Sequence, residues 1–178
     1  MKEDFTVPLN GLAPGRTRFH ASAGKTFFAQ FENAEVLDAD VEVSWEVEKT
    51  ARELLVDGDL EGTLTVVCDR CLEDLVLPVV SSFALRIVFG AGEATEEEDA
   101  DGRETVYADP SLPGFDLSQT VYDYACLALP VQRVHPDGEC NPDAVKHLHS
   151  ESIEQKPEEG SSPFAALGEL MKKKGVEE

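Results

Sequence analysis

Along residues 37–47, "LDADVEVSWEV", apolar and polar side chains alternate at every step. Leu37, Ala39, Val41, Val43, Trp45 and Val47 point one way; Asp38, Asp40, Glu42, Ser44 and Glu46 point the other. Successive side chains of a strand lie on opposite faces, so this period of two predicts a strand with one buried face. The same period recurs in "LLVDGDLEGTLTVV", where Leu54, Val56, Leu60, Leu64 and Val66 share a face. It recurs again in "LVLPVVSSFALRIVF", through Leu75, Leu77, Val79, Phe83, Leu85, Ile87 and Phe89. Short connections make an antiparallel meander the simplest topology. Gly58 and Gly62 keep the phase but read as weak points or bulges, and Pro78 as an edge or bulge position.

Ahead of these strands, "EDFTVPL" and "GRTRFHAS" read as short strands, and "KTFFAQFENA" as a short helix with Phe27, Phe28 and Phe31 on one side. Behind them, "FDLSQTVYDYACLALP" reads as a helix. Asp116 and Gln119 suit a capping box, Leu117, Val121, Tyr124, Ala125 and Ala128 form the stripe, and Pro130 ends it. "VQRVHPDGECNPDAV" follows as a loop rich in Pro, Gly and Asp. The fold class expected is α+β: an antiparallel meander or barrel-like sheet with a few helices. Residues 1–149 form its single domain, with residues 91–104 as an exposed acidic loop.

Residues 150–162 read as a flexible polar linker, and 163–175 as a mobile amphipathic C-terminal helix. Phe164, Leu167 and Leu170 line its apolar stripe, and Lys172, Lys173 and Lys174 sit at its C-terminus, where positive charge suits the helix dipole. This stripe and its lysines are the candidate partner-binding residues, docking either back on the domain or on another molecule.

Charge narrows the function. The formal net charge is -21, with 36 acidic against 15 basic residues. Phosphate contacts need Lys and Arg, so charge-driven binding to nucleic acid or to an anionic membrane is disfavoured, while a basic protein partner suits. No stretch is long and apolar enough to span a membrane. With no signal-peptide pattern and four cysteines at no dense spacing, the expectation is a cytoplasmic protein with reduced thiols. No phosphate loop, G-x-S-x-G elbow or H-E-x-x-H is present, so neither an enzyme nor a small-molecule substrate is expected.

The remaining candidate chemistry is "VVCDRCL". Redox C-x-x-C pairs use a helix N-terminus to lower the thiol pKa, and here a strand follows instead. A lowered thiol pKa would favour that reading nonetheless. As half of a tetrahedral zinc site, Cys68 and Cys71 need two more ligands, and "VHPDGEC" offers His135 and Cys140. Cys126 is an alternative fourth ligand, while His20, His147 and His149 read as surface histidines. Structural zinc, thiols packed together without metal, and a redox pair all stay open on these residues alone.

The order of "CDRCL", the block from Asp116 to Cys140 and the "SPFAALGELMKKK" tail resembles the YceD family, the large ribosomal RNA subunit accumulation proteins of bacteria and plastids. The resemblance spans roughly residues 35–174 and implies a non-enzymatic role in 23S rRNA accumulation or processing, hence in large-subunit assembly. Cys68, Cys71, His135 and Cys140 match family positions, whereas Cys126 stands where the family has an aliphatic residue. The implied partner is a large-subunit ribosomal protein or assembly factor. Contact with rRNA would then be indirect, or confined to the Lys172–Lys174 tail.

Overall fold

A computed structural model describes residues 4–31, 35–50, 53–90 and 101–149. The proposed linker, the C-terminal stripe with Phe164, Leu167, Leu170 and Lys172–Lys174, and most of the acidic loop lie outside the described residues. The alternating segments form β3 (Val36–Lys49), β4 (Glu53–Val67) and β5 (Asp74–Phe89). With β2 (Gly15–Gly24) on one flank they make an antiparallel meander, as the short connections predict.

A fifth strand, β6 (Glu104–Ala108), pairs with β5 in parallel, so the sheet order is β2-β3-β4-β5-β6. This strand lies at and just beyond the end of the stretch read as acidic loop. Its five residues are too few for a clear period. Among the described residues no pairing joins β2 to β6, so the sheet is open rather than a closed barrel.

Val41, Val43, Trp45, Val47, Leu54, Val56, Leu60, Leu64, Val79, Phe83, Leu85 and Ile87 are all buried, on the faces their alternation assigns. Neither glycine marks a bulge. The register runs unbroken through both, and its one irregularity falls between Val36 and Asp38. Gly58 sits between Trp45 and Phe83, and a Cβ there would collide with the Phe83 ring. A Cβ on Gly62 would meet the Asp40 carbonyl. These glycines admit close neighbours. Pro78 lies where, among the described residues, β5 has no strand on its outer side, since β6 joins only from Leu85 onward, so its missing N–H costs no ladder bond there.

The N-terminal segment belongs to the same core. β1 (Thr6–Pro8) pairs with β7 (Gly114–Asp116), and α1 (Lys25–Phe28) buries Phe27 and Phe28 beside Phe5. The predicted helix is α2 (Ser118–Leu127), starting later than its sequence suggests because Phe115 and Asp116 are spent in β7. Asp116 accepts hydrogen bonds from the Ser118 N–H and hydroxyl. Gln119 donates forward to Asp123, so the expected capping box does not form. Leu117, Val121 and Ala125 are buried, as the stripe requires.

Beyond Pro130 the loop ends in a helix that its turn-rich composition concealed, α3 (Pro142–His149). The signal that could have found it is local: Asn141 before Pro142 is a capping residue followed by proline at the first helical position. The Asn141 side chain does accept the Asp143 N–H at 2.9 Å.

Candidate metal centre

β4 runs into β5 through a tight knuckle that bears both cysteines of the C-x-x-C. The Cys68 N–H donates to the Glu73 carbonyl at 2.8 Å, and the Leu72 N–H returns to the Cys68 carbonyl at 2.9 Å. Closing the knuckle puts Leu72 at φ 62, a left-handed conformation that a Cβ disfavours. The turn carries no helix, as expected from the strand that follows.

The post-helix loop is fastened to this knuckle by Asp69 and Arg133. The Asp69 N–H donates to the Arg133 carbonyl at 2.7 Å, and the Arg133 N–H donates to the Asp69 carboxylate at 2.8 Å. The Arg133 guanidinium lies 3.5 Å from Asp69 and 3.0 Å from Glu35. At the loop's far end, Asn141 donates to the Glu73 carboxylate at 2.7 Å. Sequence spacing did not reveal these clamps, because their partners are 64 and 68 residues apart and Asp, Glu and Arg are too common here to single out.

So fastened, the loop brings His135 and Cys140 against Cys68 and Cys71, with all four ligand atoms within 4.8 Å of one another. Cys68 and Cys140 sulfurs are 4.0 Å apart. His135 Nδ1 lies 3.4 Å from Cys71 Sγ and 3.9 Å from Cys140 Sγ. A tetrahedron with metal–sulfur bonds of about 2.3 Å has sulfur–sulfur edges of about 3.8 Å. The four side chains therefore stand close to the spacing at which one ion would hold them.

The tautomer of His135 suits the same purpose. Its Nε2 is 3.2 Å from the Asp74 carbonyl, which can only accept, so Nε2 carries the hydrogen and Nδ1 offers its lone pair to the sulfurs. A ligating histidine is oriented in this way, with its other nitrogen donating to a fixed acceptor. The Arg70 N–H points at Cys68 Sγ from 3.5 Å, and its guanidinium reaches Cys140 Sγ at 4.0 Å, placing positive charge beside the sulfurs.

Burial pushes the Cys68 thiol up, but the N–H groups of Cys71, Arg70 and His135 and the Cys71 side chain outweigh it and hold the group at about 6. His135 is raised, first by its hydrogen bond to Cys68. Cys140 is raised by burial and by the neighbouring cysteines. A lowered thiol also suits a redox pair. Cys68, however, is fully buried, and its sulfur neighbours include Cys140 and a histidine rather than Cys71 alone.

Cys126 lies on α2, packed against the main core and outside the four-residue group. His20 is an exposed residue of β2 paired with Ser44, and the side chains of His147 and His149 lie outside what is described. The three cysteines of the group sit in a small apolar cluster. Val66, Cys68, Cys71, Leu75 and Cys140 are buried there, with Leu129, Val134, Ala144 and Val145 packed around them. Through Ala144 and Val145 the site also anchors α3.

Among the described residues no helix is long and apolar enough to cross a membrane. No curated protein and no solved structure is similar enough to match. The model of one family, described as large ribosomal RNA subunit accumulation protein YceD, matches residues 56–171. That span takes in well over half of the chain, including the C-x-x-C knuckle, α2 and the loop with His135 and Cys140, and the chain belongs to the YceD family.

Proposed function

We propose that this protein is a non-enzymatic factor for the accumulation of 23S rRNA and the assembly of the large ribosomal subunit, acting in the cytoplasm through a protein partner. The family match over residues 56–171 carries the reading. The net charge of -21 supports indirect action, because so acidic a chain repels the rRNA backbone and attracts basic proteins.

Structural zinc held by Cys68, Cys71, His135 and Cys140 is part of the proposal. Three thiolates and one imidazole form a donor set typical of closed, structural zinc, and all four positions of the tetrahedron come from protein. When bound, zinc would supply folding energy and fix the loop, with no open position for a reactant. The C-terminal stripe of Phe164, Leu167 and Leu170 with Lys172–Lys174 is proposed as a second partner contact, on its amphipathic pattern.

Depletion of the protein in its own cell tests the functional reading. The expected result is a fall in 23S rRNA and in the ratio of large to small subunits. Unchanged 23S rRNA under full depletion would falsify it. The redox alternative is favoured by the Cys68 thiol at about 6. It predicts turnover of a disulfide substrate that is lost in Cys71→Ser, whereas the zinc reading predicts no such turnover.

A further inference from the structure

The five-stranded sheet turns one face to the core, and the alternate side chains of β3 and β4 on its other face are mostly exposed. Charges on this open face are segregated along the strands. At one end Arg16 and Arg18 pair with Glu46 and Glu48, Arg86 with Glu53 and Asp101, and Arg103 with Asp57. Toward the other end the register sets Ser22, Glu42, Glu61 and Val80 in one row across β2 to β5. Beyond it come Gly24, Asp40, Thr63 and Pro78, then Asp38, Thr65 and Val76.

Asp38, Asp40, Glu42, Asp59 and Glu61 are all exposed, and none forms an ion pair among the described residues. Glu42 and Glu61 stand directly opposite each other. Like charges in that position destabilise a sheet. Beside them Val76 and Val80 are 60% and 72% exposed, on a stretch of β5 whose outer edge pairs with no strand among the described residues. Pro78 between them lacks an N–H, which opposes strand addition at that edge and leaves the face as the docking surface.

We propose that this end of the open face, centred on Glu42 and Glu61 and bordered by Val76 and Val80, binds a Lys- and Arg-rich segment of a basic protein. Incoming cations neutralise the opposed carboxylates, and aliphatic side chains of the same segment cover the valines. The sign of the face excludes RNA and an anionic membrane. The inference rests on the reading that the chain acts through a protein partner, and adds where on the chain that partner sits.

The test uses the full chain and the proteins extracted from purified large ribosomal subunits. Glu42→Gln/Glu61→Gln is compared with Asp123→Asn/Asp143→Asn, which changes the net charge equally at exposed positions of α2 and α3. The face variant should melt no lower than wild type, since it removes repulsion. It should bind the retained basic protein at least about ten-fold more weakly, while the control variant binds as wild type. Equal binding by the two variants overturns the inference, as does a wild-type chain that retains no basic protein. Carbodiimide cross-links from Lys172–Lys174 to Glu42 or Glu61 in the isolated chain would assign the face to the chain's own tail, and so overturn it too. Complementation separates the two readings. If depletion lowers 23S rRNA and the face variant restores it fully, only the docking face falls. If depletion leaves 23S rRNA unchanged, the functional reading falls whatever the face binds.

Discussion

Cys68 concentrates the chemistry of the knuckle: fully buried, grouped with Cys71, His135 and Cys140, and facing the N–H of Arg70. Protein purified without chelator should contain one zinc per chain by elemental analysis. Cys68→Ser should lose it, while Cys126→Ser, altered outside the four-residue group, should keep it. A ligand present at 100 times its Kd contributes about 2.7 kcal/mol of stability, so Cys68→Ser should lose at least that much in the presence of zinc, read from denaturant melts. An unchanged melt would show that the thiols pack without metal. Metal affinity should also depend on pH. Zinc takes the deprotonated ligands, and both His135 and Cys140 hold their protons to a higher pH than usual, so binding displaces protons. Affinity should therefore weaken as pH falls from about 8 to 6, in a competition titration against a chelator. Asp69 acts one step further out. Asp69→Ala removes the acceptor of the Arg133 N–H and should weaken zinc binding about ten-fold or more without touching a ligand.

Elements differ in how much of them the sequence disclosed. β3, β4 and β5 were legible because a long strand with one buried face writes its period in many residues. The grouping of Cys68, Cys71, His135 and Cys140 was legible for a different reason: only a few Cys and His residues exist to choose from. β6 and α3 were not read, since a five-residue strand and an eight-residue helix leave little period, and neighbouring Asp, Pro and Gly read as loop. Nor could alternation say what Gly58 is for, because the reason is a ring on the next strand. Gly58→Ala should destabilise by about 1–3 kcal/mol, as overpacking does, with Phe83 forced off its site. A shift below 0.5 kcal/mol in denaturant unfolding would show that the ring yields freely. The cysteine cluster has its own buried residues and meets the main core through Leu129, so metal removal should act locally. Chelation should raise amide exchange in the 131–141 loop and in α3 while β3 and β4 stay protected. Uniform loss of protection would mean that the centre holds the entire fold.

For the molecule as a whole, sign and distribution of charge decide how it can reach an RNA-rich particle. A protein that grips rRNA directly releases counterions, so its affinity falls steeply as salt rises. This chain carries 36 carboxylates against 15 Lys and Arg. The described arginines are largely committed: Arg16, Arg18, Arg86, Arg103 and Arg133 pair with carboxylates, and Arg70 leans on the thiols. Lys172–Lys174 could neutralise at most a few phosphates, a contribution that fades at physiological salt. Binding of the isolated protein to 23S rRNA fragments should therefore be weaker than about 10 μM at 0.15 M salt, at or below the level of ordinary non-specific binding. Binding to a basic large-subunit protein should weaken with salt instead, because the acidic face supplies the attraction. Filter binding and titration across 0.05–0.5 M salt read both. Submicromolar rRNA binding with a steep salt slope would place the RNA contact on this chain itself and sink the partner-mediated route. Salt-insensitive binding of the basic protein would transfer the interaction from the acidic face to an apolar surface, with the C-terminal stripe of Phe164, Leu167 and Leu170 the first to truncate.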